Sequence, residues 1–144
     1  MSASASWFVL IGRVIFAINF VGAAGIAHIR RGSMMEGYAR QTGFPLAPLA
    51  GWPAGVWLIV AGLLLAFGIW ADLGALMVAL FVIIAGVGFH RFWTITDPEQ
   101  RQFQSLLFFR NVTILGAALA FFGFFSGLGH TLGLTLTGPL FHLR

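Results

Sequence analysis

Residues 54–92 read AGVWLIVAGLLLAFGIWADLGALMVALFVIIAGVGFHRF, and this stretch decides the fold class. Its single acid, Asp72, lies near the middle. At 1.5 Å per residue the stretch would form about 58 Å of helix. That length is close to twice the roughly 30 Å hydrocarbon core of a bilayer. We therefore predict a transmembrane hairpin, with helices over 54–71 and 73–90 joined by a tight turn at 71–74.

The whole chain shares this apolar character. Its 144 residues are 59% hydrophobic and 8% charged, whereas an ordinary soluble domain carries about 25% charged residues. The 16 Phe and 19 Gly are typical of membrane helices, which present bulky side chains to lipid and small ones to each other. A soluble globular domain and a disordered chain are therefore both excluded.

Charge and cysteine content narrow the function classes further. The net charge of +4 comes from a scarcity of acids, with eight basic and four acidic residues, rather than from a basic patch. Binding to nucleic acid is therefore not expected. The chain has no cysteine, which excludes disulfides, thiolate metal sites and Cys-ligated iron–sulfur clusters.

Two more apolar runs are long enough to cross a membrane, over 7–28 and 106–125. The ten-residue alternating segments that mark a transmembrane β-barrel do not occur in the sequence. We therefore predict an all-α membrane protein, an antiparallel bundle of four transmembrane helices in a single domain over 1–144. The remaining residues, 126–144, form a tail after the fourth span.

The distribution of arginine predicts the orientation. Four spans place the two longer loops on one side of the membrane and both termini on the other. The opposite side carries only Arg144, whereas the longer loops carry Arg30, Arg31, Arg40, Arg91 and Arg101. Because cytoplasmic loops are enriched in basic residues, we expect both termini outside.

Two ionisable residues lie towards the outer side, Arg13 inside the first span and Asp72 at the turn of the hairpin. Ionisable groups in a span are costly and usually face the protein interior or a wet cavity. A structural ion pair between Arg13 and Asp72 would neutralise both charges, and we predict it. The alternative is that Arg13 extends its guanidinium to the membrane surface.

Polar residues near the cytoplasmic side form a candidate site. Five residues share this location, namely His28, His90, Trp93, Arg110 and Asn111. Because the helices alternate in direction, these residues are expected at one membrane depth. Imidazole, guanidinium and carboxamide groups can hydrogen-bond the carbonyls of a quinone headgroup, and imidazoles can exchange the protons that its reduction needs.

A second interpretation of these residues involves no ligand. His28 and His90 would then anchor helices at the membrane interface, and Arg110 would extend to the surface. Two imidazoles could also ligate a haem iron, but nothing in the spacing demands it. We therefore expect no metal site, and no cofactor other than a quinone.

Three motifs resemble the DoxX family of small four-helix membrane proteins. The first is LIGRVIF at 10–16 followed by GIAH at 25–28, and the second is TGFP at 42–45. The third is FHRFW at 89–93, followed by Asp97-Pro98 and by FFRNV at 108–112. His28 and Arg110 stand where lysine is common in the family.

The resemblance implies association with membrane redox chemistry. It implies an integral subunit of the bacterial cytoplasmic (inner) membrane that belongs to a redox- or quinone-linked complex and contacts the quinone. The alternative is a non-catalytic accessory or structural subunit that stabilises a larger bioenergetic complex. In both cases the partners are the lipid bilayer and other membrane protein subunits, and no catalytic residue is assigned.

The tail has a pattern of its own. Leucine alternates with glycine or threonine over 132–137, and Pro139 and several glycines interrupt any fifth span. Such alternation is typical of an extended segment that pairs its backbone with another surface. We expect the tail to dock onto a partner subunit. The alternatives are that it folds back on its own helices or lies along the membrane interface.

Overall fold

The computed structural model describes residues 2–128 and 131–143, and these residues contain helices and no strand. The α-helices in this part of the chain are α1 (Ala3–Ile18), α2 (Ala27–Arg30), α3 (Gly32–Gln41), α4 (Trp52–Phe67), α5 (Ala71–Phe89) and α6 (Pro98–Leu128). A π-helical segment, Asn19–Ile26, joins α1 to α2, and 3-10 turns lie at Ala47–Ala50 and Phe92–Thr94. Met1 and Arg144, the ends of the predicted domain, lie outside the described residues.

Three stretches are long and apolar enough to cross a membrane, namely Ala3–Arg30, Ala71–Thr94 and Pro98–Leu128. The first of them combines α1, the π-helical segment and α2, and is called the first span below. The other apolar helix, α4, is shorter, with 16 residues and therefore about 24 Å of length. The expectation of an all-helical membrane protein is confirmed.

The turn between α4 and α5 lies earlier than predicted, at residues 68–70 instead of 71–74. Gly68 has a φ of +66°, a left-handed conformation that ends α4 and that glycine adopts without a steric penalty. Trp70 is also left-handed, with a φ of +43°. Asp72 therefore lies in the first turn of α5, where the helix dipole favours a carboxylate.

The helix that follows α5 is longer than hydropathy predicts. The last helix, α6, begins at Pro98 rather than at residue 106. Asp97 Oδ1 accepts the backbone N–H of Gln100 at 2.8 Å and so caps this helix. Proline in the first turn needs no hydrogen-bond partner for its nitrogen. These start signals are polar, so an apolar window does not detect them.

Small residues bring the first span against α4. A Cβ added at Gly25 would lie 2.6 Å from the Ile59 side chain, and one added at Gly55 would lie 2.8 Å from the Gly25 carbonyl oxygen. Any larger side chain would force the two backbones apart, as at other close helix contacts in membranes. On its other side α4 packs against α5, which also packs along α6.

The predicted ion pair does not form. Arg13 and Asp72 are both fully buried, but within the described residues the only salt bridge joins Arg40 to Glu36 at 3.8 Å. Instead, Asp72 accepts the backbone N–H groups of Leu140 at 3.1 Å and Phe141 at 2.6 Å.

Arg13 also binds the tail rather than Asp72. Its Nη2 donates to the carbonyl of Leu134. Its Nε and Nη1 are buried without a hydrogen-bond partner in the described part of the chain. Tail backbone therefore bonds to both buried ionisable groups in place of the predicted pair.

The described tail residues fold back on their own helices, which corrects the expectation of docking onto a partner. The N–H groups of Leu136 and Thr137 each donate to the Gly68 carbonyl at 3.1 Å. The Thr137 hydroxyl accepts the Trp70 N–H at 2.8 Å. The turn between α4 and α5 leaves backbone groups unpaired at a helix end, and these provide the surface with which the extended tail pairs.

We predict that Asp72→Ala destabilises the protein, because it leaves two tail N–H groups without acceptors in an apolar environment. The free energy of unfolding should fall by about 2–3 kcal/mol, measured by denaturant titration in detergent micelles. Asp97→Ala is the matched control, since it removes only an exposed helix cap and should cost about 1 kcal/mol. Equal losses in the two variants would contradict the structural role assigned to Asp72.

Candidate functional site

A cavity of about 600 Å³ lies at the end of the structure away from the tail. Four of the five predicted site residues line it, namely His28, His90, Arg110 and Asn111. The rest of its wall is almost wholly apolar or aromatic and comes from the π-helical segment, α3, α4, α5 and the linker before α4. The role of these residues in binding a quinone stays a prediction.

His28 reaches the cavity from α2, directly after the π-helical segment. Its Nδ1 lies 2.8 Å from the carbonyl oxygen of Ala24, one turn earlier. Because a carbonyl only accepts, Nδ1 carries the proton, and Nε2 is the nitrogen available to a ligand. The ring meets Phe81 edge to face, with centroids 5.8 Å apart, so neighbours on two elements fix its orientation.

His90 follows the last residue of α5 and is partly buried. Its Nδ1 lies 2.8 Å from Oε1 of Gln104 on α6, which again leaves Nε2 for a ligand. Gln104 was not among the predicted residues. It precedes Asn111 by seven residues, two helical turns, so the sequence pattern places both on one face of α6.

Asn111 is the most distinctive residue of the cavity wall. Its side chain is only 6% exposed, and its Nδ2 has no hydrogen-bond partner among the described residues. An unsatisfied buried amide costs about 1–3 kcal/mol, so a ligand with an acceptor atom would gain from this position. The neighbouring Arg110 also lines the cavity and supplies a positive charge beside it.

A cover made by α3 and the linker after it lies over the polar end of the cavity. The Tyr38 hydroxyl donates to the Phe89 carbonyl at 3.3 Å. Phe44 packs on Phe89 with ring centroids 4.9 Å apart. Arg91 Nη2 donates to the Thr42 carbonyl at 2.6 Å. The covering role of this segment was not predicted, because the segment carries no membrane-length apolar run.

Trp93 does not line the cavity. The 3-10 turn at Phe92–Thr94 redirects the chain after His90, and the Trp93 side chain is 50% exposed. Its ring packs on those of Phe92 and Phe108, with centroids 5.3 and 5.5 Å away. Proximity in sequence to His90 therefore did not place Trp93 in the site.

The chemistry of the wall is that of hydrogen bonding in an apolar space. Within the part of the chain that the structure describes, no group of three or more His, Asp or Glu side chains could hold a metal ion. The wall residues with polar groups not bonded within the cover are Asn111, Arg110, His28 and His90, the two histidines through Nε2. The amide and the guanidinium can donate to carbonyl or hydroxyl oxygens of an organic headgroup, whereas Nε2 of each neutral imidazole can accept from a hydroxyl.

The DoxX family model matches residues 8–91, more than half of the chain, from the first span through α5. The chain belongs to the DoxX family. Members are membrane proteins generally linked to redox-related functions. No curated protein and no solved structure matches the chain. The match includes His28 and His90, whereas Arg110 and Asn111 lie beyond it, so their place in the site rests on the cavity geometry.

We predict opposite stability effects for the two amides of α6. Asn111→Leu should leave the free energy of unfolding of the ligand-free protein unchanged or raise it, because it removes an unpaired buried polar group. Gln104→Leu should lower that free energy by about 1–3 kcal/mol, because it deprives His90 Nδ1 of its acceptor. Denaturant titration of both variants without ligand measures the difference. A clear loss in Asn111→Leu would show that Asn111 is already satisfied.

Proposed function

We propose that this protein is a quinone-binding subunit of a redox-linked membrane complex, with the headgroup in the cavity. The observation that carries this proposal is a mostly apolar cavity whose wall brings two imidazoles together with Asn111, a residue whose Nδ2 is buried and unpaired among the described residues. A quinone offers two carbonyl acceptors on a flat ring that aromatic side chains can cover. Membership of a family linked to membrane redox functions supports the same assignment.

The size and composition of the cavity support this proposal. Ligand sites are commonly about 300–1,000 Å³ and mostly apolar, with a few placed polar groups. A volume of about 600 Å³ accommodates a substituted ring and the first part of its chain. In this proposal Asn111 Nδ2 donates to one carbonyl, and the imidazoles of His28 and His90 exchange protons with the headgroup.

We further propose four membrane crossings in an antiparallel arrangement, with α4 as a short second crossing in a bacterial cytoplasmic (inner) membrane. A helix of about 24 Å can span a roughly 30 Å core when flanking interfacial residues and local thinning complete the crossing. Trp52, at the start of α4, is 62% exposed and suits such an interface. In this proposal both termini lie outside, as the arginine distribution predicts.

A second candidate function is that of an accessory subunit inside a larger bioenergetic complex, and the surface of α6 favours it. This helix packs on α5 along one side, and its other side exposes Phe103, Leu106, Phe109, Val112 and Leu119. Partner membrane subunits or lipid would cover this stripe. Quinone binding and an accessory role are compatible, and they differ in whether loss of the headgroup site affects the complex.

The quinone proposal predicts a specific loss of affinity in Asn111→Leu. Removing one hydrogen bond worth about 1.4 kcal/mol should weaken binding of decylubiquinone about tenfold, measured with purified protein in lipid nanodiscs. Trp93→Phe is the control, because this ring lies outside the cavity and its variant should bind as wild type does. Wild-type affinity in Asn111→Leu would contradict the proposed site. If the native complex also keeps its quinone-dependent activity with this variant, the accessory role is supported.

The orientation can be tested with single cysteines, since the native chain has none. Ser4→Cys should react with a membrane-impermeant maleimide in intact cells, because α1 begins on the proposed outer side. Arg40→Cys, in α3, should react only after the membrane is permeabilised. Both positions are exposed in the structure, so accessibility depends on the side of the membrane. The reverse pattern would invert the orientation.

A further inference from the structure

We propose that the ligand reaches the cavity sideways from the bilayer, through a gap between α4 and α5, and that it is a long-chain amphiphile. This inference deepens the proposed function, since it concerns the ligand class and access route of the same cavity. We call the gap the lateral opening and define it by Trp57 of α4 and by Leu80 and Ile84 of α5. All three residues line the cavity and are themselves exposed, by 39%, 48% and 42%.

The lateral opening follows from the way α4 and α5 diverge. Near their shared turn they touch, since a Cβ added at Gly74 would lie 2.8 Å from the Ala61 carbonyl oxygen. Further along, Trp57 Nε1 donates to the Met77 carbonyl at 2.9 Å. Beyond that bond the first turn of α4 and the segment of α5 around Ile84 both line the cavity, which separates them.

The depth of the opening places it in hydrocarbon. Leu80 precedes His90 by ten residues, which corresponds to about 15 Å along α5. This distance is about half the thickness of the hydrocarbon core. At such depth the exposed side chains of the lateral opening face lipid tails rather than water.

The polar end of the cavity is only partly covered, since Leu46, Leu49 and Arg110 line the cavity there and are themselves exposed. Tyr38 and Phe44 both contact Phe89, and Arg91 is bonded to the linker carbonyl of Thr42. A long hydrocarbon chain arriving from water would have to pass this cover or the charged, exposed Arg110. A ligand arriving from the bilayer meets only the apolar side chains of the lateral opening.

The separation of polar and apolar groups indicates the ligand class. The hydrogen-bonding groups come from the first span, the end of α5 and α6, whereas the lateral opening is apolar. A molecule with an acceptor headgroup and a long hydrocarbon chain matches both parts, with its head beside Asn111 and its chain passing Ile84 into the bilayer. If the ligand were a small water-soluble metabolite, the lateral opening would have no role in its binding.

Narrowing the opening tests this inference. Ile84→Trp should weaken binding of decylubiquinone, which carries a ten-carbon chain, at least tenfold. It should change binding of ubiquinone-0, which has the same headgroup and no chain, by less than twofold. Each ligand is titrated in nanodiscs against wild type as its own reference, so partition into lipid cancels. Thermal unfolding of each variant verifies that the helices remain folded.

Ile83→Trp is the matched control. Ile83 is the neighbouring residue, is 45% exposed and does not line the cavity, so its variant should bind both quinones as wild type does. If Ile84→Trp and Ile83→Trp bind decylubiquinone equally, the lateral opening is not the route and only the proposed headgroup site stands. If wild-type protein binds neither quinone, the headgroup site and the lateral route are both overturned.

Discussion

The two hydrogen bonds that Asp72 accepts from the backbone of Leu140 and Phe141 determine how one end of this protein is closed. In hydrocarbon no water is available, so every buried polar group needs a partner from the chain itself. The tail carries extended backbone that needs partners as well, and it finds them in Asp72, Arg13 and the turn around Gly68. The tail therefore bonds to both buried charged groups, although Arg13 Nε and Nη1 have no partner among the described residues, and the tail becomes part of the fold.

The opposite end of the molecule, where the cavity lies, is covered by a different part of the chain. There the cover consists of α3 and its linker, whose contacts with α5 use a tyrosine hydroxyl, a phenylalanine ring and an arginine. None of these contacts reaches the buried amide of Asn111, which has no partner among the described residues. Buried donors without a partner among the described residues thus remain at both ends, on Arg13 beneath the tail and on Asn111, and Asn111 belongs to the wall of the large cavity.

Hydropathy predicts the helices well and their ends poorly. A run of apolar residues reports burial in lipid, but a helix end depends on single polar residues such as Asp97 or on left-handed ones such as Gly68 and Trp70. The tail was expected to dock onto a partner subunit and instead folds back, because alternating leucine and threonine indicate an extended segment without identifying the surface that it pairs with. The ion pair of Arg13 with Asp72 was wrong for the same reason, since backbone partners leave no mark in the sequence.

The site was more predictable than the tail, because depth in a membrane can be counted along a helix. Counting from the helix ends places four residues at one membrane depth, namely His28, His90, Arg110 and Asn111. All four line the cavity. Direction around a helix is harder to predict outside regular structure. Trp93 was expected in the cavity wall, but the 3-10 turn after His90 directs it elsewhere. Gln104, which bonds to His90, was not predicted, although its spacing from Asn111 is helical.

The packing of α5 on α6 connects the cavity to the family match. The matched residues, 8–91, supply most of the cavity wall, whereas Asn111 comes from α6 beyond the match. Gly86 of α5 lies opposite Asn111, and a Cβ added there would lie 3.7 Å from the Asn111 Cβ and from the Phe108 ring. That distance is an ordinary contact, so a methyl group fits and a longer side chain would push α6 outwards. The small residue at 86 thus lets a helix outside the matched segment bring its unpaired donor to a wall that the matched segment builds.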